Sequence, residues 1–77
     1  MTMNTENYMR LAKWMATKLR AAKANYPEKI EAQRSRYYIE FRGMAQALDT
    51  LGIEFHYEFD DNYNISAVIV NGERADV

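Results

Sequence analysis

Seventy-seven residues, 48% apolar and 27% charged with a net charge of −1, describe one small globular domain rather than a disordered chain. The absence of cysteine excludes disulfide staples, zinc knuckles and thiol catalysis. A chain this short buries only roughly 60% of its unfolded surface, so a metal or association with another chain is the remaining means of reinforcing its core.

The first periodic segment runs from about Thr5 to Asn25. Tyr8, Ala12, Met15, Leu19, Ala22 and Tyr26 recur at spacings of four and three, with Leu11 and Trp14 widening the stripe. That pattern predicts an amphipathic helix over about 5–25, capped by Asn4 or Thr5, with Glu6 favourably placed at its N-terminus. Pro27 ends it by forcing Tyr26 out of the α region. Pro27 is also a suitable first residue for a second helix, and Ile30, Arg34, Tyr37, Phe41, Met44, Leu48 and Leu51 keep the same rhythm to Gly52. The expectation is one helix over about 27–51, closed by a left-handed Gly52 and folded back on the first as an antiparallel hairpin.

After Gly52 the period changes to two. Ile53, Phe55, Tyr57 and Phe59 alternate with Glu54, His56, Glu58 and Asp60, which predicts a half-buried strand over about 53–59. A three-residue loop Asp60–Asn62, with Asn62 left-handed, leads to a second strand over about 63–70. That register pairs Phe59 with Tyr63, Tyr57 with Ile65, Phe55 with Ala67 and Ile53 with Ile69, all facing the helices. Asn71-Gly72 ends the strand, and residues 72–77 read as a frayed tail. The expected fold is a single α+β domain over 1–77 in α-α-β-β order.

The second strand, "ISAVIV", is apolar on both faces, whereas ordinary edge strands are not. With no further strand expected, its missing neighbour is assigned to a second copy. Twofold pairing would place Ser66, Val68 and Val70 at a homodimer interface.

The lone histidine, His56, lies between Glu54 and Glu58 on one face of a strand. Their bases stand about 6.5–7 Å apart, so one ion would reach two of them but strain to take all three. Without a second histidine or a cysteine, the three read as the outward face of a hairpin and not as a metal site. Neither a nucleophile–base pair nor a glycine-rich phosphate loop is present, and the expectation is a protein without enzymatic activity, metal or cofactor.

Charge is distributed unevenly. Residues 1–25 carry Arg10, Lys13, Lys18, Arg20 and Lys23 against Glu6, and residues 52–77 carry Glu54, Glu58, Asp60, Asp61, Glu73 and Asp76 against Arg74. Arg10, Lys13 and Arg20 form a basic helix face suited to phosphates, the basis for an alternative reading as a nucleic-acid-binding protein. On the second helix, Arg36, Ile39 and Gly43 line up away from the core stripe as a candidate partner-binding patch, and Glu54 and Glu58 offer an acidic face to a basic partner. With no secretion signal and no membrane-spanning stretch, the expected compartment is the cytoplasm. The expected function is that of a small regulatory or accessory protein acting by protein–protein contact, with itself and an unidentified protein as partners. Size alone suits a bacterial or phage-type modulator.

Overall fold

The computed structural model describes residues 4–77. Asn4 opens helix α1 (Thr5–Asn25), its side-chain Oδ1 accepting the Asn7 N–H at 3.0 Å. Tyr26 closes the helix with extended backbone (φ −134°, ψ 91°), as the residue before a proline must. Ala12, Met15, Ala16, Leu19 and Ala22 form its buried stripe.

The single second helix expected over 27–51 is instead two. Helix α2 (Lys29–Arg34) has no buried residue, and helix α3 (Arg36–Thr50) buries Phe41 and Leu48. Ser35 separates them, with extended backbone at φ −70° and ψ 157°. Its hydroxyl donates to the Ala32 carbonyl at 2.6 Å and accepts from the Tyr38 N–H at 3.3 Å. One serine therefore ends α2 and caps α3, the competition with helical hydrogen bonding that makes serine a poor interior residue. The break leaves Ile30 outside the core at 63% exposure. At the far end of α3, the Gly52 N–H (φ 73°) donates to the Asp49 carbonyl and the Ile53 N–H to that of Leu48, a Schellman closure.

Three antiparallel strands follow, β1 (Phe55–Phe59), β2 (Ile65–Val70) and β3 (Glu73–Asp76), in the spatial order β1-β2-β3. The segment expected to fray is thus the third strand. Asn71 (φ 48°) and Gly72 (φ 85°) form the two-residue turn that joins Val70 to its partner Glu73. Two successive positive φ angles are the geometry Asn-Gly supplies in a tight hairpin.

This third strand answers the puzzle of "ISAVIV". β2 lies in the centre of the sheet with both its edges paired, so no second copy can pair along it. Val68 and Val70 are fully buried and the Ser66 carbonyl accepts the Val77 N–H, so the strand expected to pair with a second copy through Ser66, Val68 and Val70 is already paired within the chain.

The register also differs from expectation. Phe55 pairs with Val70 and Tyr57 with Val68; a bulge between Glu58 and Phe59 brings Phe59 opposite Ile65 and leaves Ser66 as the extra residue. Consequently Val68 and Val70, not Ala67 and Ile69, face the helices, where they pack with Ala75, Met15, Phe41 and Leu48. Ala67 and Ile69 lie on the opposite face yet are buried, at 0% and 6% exposure. Their flanking residues are Glu58 and Asp76, and His56 and Arg74, respectively. Arg74 pairs with both Glu58 and Asp76, and the stems of these side chains roof the two apolar residues.

A candidate binding groove

Where α1 ends, the chain passes Tyr26 and Pro27 into α2, and the β1–β2 turn rises opposite. Between them lies an open groove of about 350 Å³. Its floor is Leu19, Ala22, Ile65 and Val77, and its walls include Tyr26, Pro27, Tyr38, Phe59 and Tyr63, with Lys23 and Lys29 among the lining residues.

The turn that builds one wall is specified by Asp60. Its Oδ1 accepts the N–H of Asn62 at 2.8 Å and of Asn64 at 3.0 Å, and its carbonyl accepts the Tyr63 N–H at 3.0 Å. The Asn64 N–H first, and the Asn62 N–H after it, hold the Asp60 carboxyl below its ordinary value, and Lys23 and Lys29 add to the effect. The loop proper is therefore Asp61–Tyr63, one residue later than expected, and the left-handed position falls on Tyr63 (φ 61°) instead of Asn62.

A tyrosine in that conformation is unfavourable by about 1–2 kcal/mol. No burial offsets it, since Tyr63 is 82% exposed. Phe59 at 58% and Tyr26 at 40% are exposed beside the same groove. Three large aromatic side chains thus meet solvent around one hollow. Tyr38 of the groove lining lies tilted against Phe41 at 5.4 Å, and Phe41 against Tyr57 at 5.5 Å, so that wall continues into a packed aromatic cluster. Burial, then the neighbouring Tyr38, raises the Tyr57 hydroxyl above the ordinary phenol value.

None of the residues expected from sequence to form an interface, a partner-binding patch or a nucleic-acid face lines this groove. Arg36, Ile39 and Gly43 do share the outer side of α3, all exposed, with Ile39 at 61%. Arg36 already meets Glu40, at 3.5 Å, and Glu40 is engaged by Lys18 of α1 at 2.6 Å. Open space surrounds the position a Gly43 side chain would take, so no neighbouring element uses that close approach. Glu54 and Glu58 are exposed, with Glu58 held by Arg74.

On α1, Arg10 pairs with Glu6 at 3.0 Å and Arg20 donates to the Asp76 carbonyl at 2.9 Å. Lys13 is exposed and forms no ion pair among the described residues. The basic face expected there is therefore partly occupied within the molecule. Among the described residues, no three metal-ligating side chains come together and no helix is long and apolar enough to cross a membrane.

The groove was missed because its parts are far apart in sequence and individually ordinary. The usable signal was the aromatic pair Phe59 and Tyr63 flanking a turn, where a one-residue shift of the loop takes Tyr63 out of the strand and leaves both side chains exposed. In comparisons with known proteins, no family model, no curated protein and no solved structure matches this chain.

Proposed function

We propose that this chain is a non-enzymatic binding protein that acts by holding a segment of a partner protein in the groove between α1, α2 and the β1–β2 turn. The observation that carries this reading is Tyr63, an exposed aromatic side chain kept on unfavourable backbone at the groove wall. Strain without a packing return is characteristic of positions kept for contact. Tyrosine and phenylalanine supply large contact area with few rotatable bonds, as interface anchors do. Lys23 and Lys29 define the complementary chemistry: a peptide presenting aromatic or aliphatic side chains beside Asp or Glu.

The alternative, nucleic-acid binding through Arg10, Lys13 and Arg20, has less in its favour. Two of those three cations have partners within the chain. Selection of binders from a random peptide library separates the readings. Enriched peptides should combine an apolar anchor with an acidic neighbour and shift the amide resonances of Lys23, Tyr26 and Tyr63. Binding should fall at least tenfold on Lys23→Glu/Lys29→Glu substitution. If no peptide is enriched and an oligonucleotide binds with affinity that falls steeply with salt and on Arg10→Glu/Lys13→Glu substitution, the alternative holds instead.

A further inference from the structure

Among the described residues, the sheet has an unpaired edge on β1, and the sequence of that strand is complementary to itself. Glu54 accepts the Asn71 N–H at 2.7 Å, and the Asp60 N–H donates to the Asn64 carbonyl at 2.9 Å, so both of these residues turn their backbone groups toward β2. Alternation along an antiparallel ladder then turns those of Phe55, Tyr57 and Phe59 outward, away from the sheet. β1 carries neither proline nor lysine, the residues that commonly blunt such an edge.

We infer that β1 is a homodimerisation edge, pairing antiparallel with β1 of a second copy about a twofold axis through Tyr57, so that two three-stranded sheets become one of six strands. The outward backbone groups fit this register: Tyr57 meets its own equivalent in a hydrogen-bonded pair, and Phe55 meets Phe59 of the second copy on either side. On the helix-facing side this covers Phe59, which the monomer leaves 58% exposed. On the other side His56 falls opposite Glu58 of the second copy, twice per dimer, in the closely spaced class of pair. Arg74 engages Oε1 of Glu58, which leaves Oε2 for the imidazole.

Charge selects this register over its neighbours. An axis at His56 would set Glu54 against Glu58 of the second copy, and an axis at Glu58 would set that carboxylate against itself. With the axis at Tyr57, Glu54 meets Asp60 of the second copy only beyond the ladder, where that carboxylate is turned into its own loop. The dimer leaves Lys23, Tyr26, Lys29 and Tyr63 outside the pairing strands and shares with the groove the single side chain of Phe59.

Sedimentation equilibrium on the full chain tests it. The wild type should show a concentration-dependent dimer. His56→Glu should weaken it at least tenfold by setting Glu against Glu. The double variant His56→Glu/Glu58→Gln should recover most of the loss, by removing the like charge while keeping an oxygen acceptor for Arg74. His56 and Glu58 are exposed, and circular dichroism of each variant should match the wild type. A wild type that stays monomeric into the millimolar range, a His56→Glu variant that dimerises like wild type, or a double variant no better than the single, overturns the proposal.

Discussion

Tyr63 shows how a single residue can be out of keeping with its surroundings for a reason. Its φ of 61° suits glycine or asparagine, and both asparagines nearby, Asn62 and Asn64, stand one position away from where they would relieve the strain. Tyr63→Asn should therefore stabilise the fold by about 1 kcal/mol, raising the melting midpoint by roughly 4–8 °C in a domain of this size. The same variant should lose peptide binding in the groove. A melt that stays unchanged or falls would show that the tyrosine ring contributes packing that its exposure does not suggest. Asp60 is the residue that sets this arrangement, because two backbone N–H groups converging on its carboxylate decide where the loop begins.

At the scale of elements, the third strand is the feature on which the rest depends. It contributes Ala75 to the core, with Val77 packed against it, and it converts β2 from an edge into a centre strand. Ending the chain at Asn71 should abolish cooperative thermal unfolding, because Val68 and Val70 would lose their covered edge and a two-stranded hairpin is barely stable alone. A truncated chain that still melts cooperatively near the wild-type midpoint would contradict this. Asn71-Gly72 was the available signal for the strand, since that dipeptide between extended runs marks a tight hairpin. What hid it was "ERAD", whose four residues include one apolar side chain. A short strand paired on one side needs no more apolar content than Ala75 supplies. The helix break at Ser35 was similarly concealed, because the apolar rhythm continues across it and periodicity does not register a hydroxyl that caps.

At the scale of the whole molecule, ion pairs and turn hydrogen bonds tie the layers together and make stability depend on pH. Glu40 is held below its ordinary value chiefly by the hydrogen bond from Lys18, which links α3 to α1, with Arg36 a smaller contributor. Asp60 is held low by the N–H groups of Asn64 and Asn62. A carboxyl depressed in the folded state adds stability above its unfolded value, and that contribution is lost as pH falls through the folded value. Urea denaturation should accordingly show stability constant between about pH 5 and 7 and declining below about pH 4. Asp60→Asn keeps an oxygen acceptor for the turn but removes the charge, so it should flatten the decline; an unchanged slope would exclude Asp60 as a contributor.

Helices before strands, the extent of α1, the end of β1 at Phe59, the caps at Asn4 and Gly52 and the outward placement of His56 and Glu58 were all legible in the sequence. These follow from local periodicity, capping chemistry and fixed φ preferences, which act within a few residues. The tertiary structure alone decided the sheet order, the register of β2 and the groove. Each depends on contacts between segments distant in the chain: Ser66 taking up a bulge, Arg74 reaching across to Glu58, and Tyr26 facing Tyr63 over a hollow floored by Val77. A two-residue alternation reads equally well in either of two registers, and only packing against α1 and α3 distinguishes them.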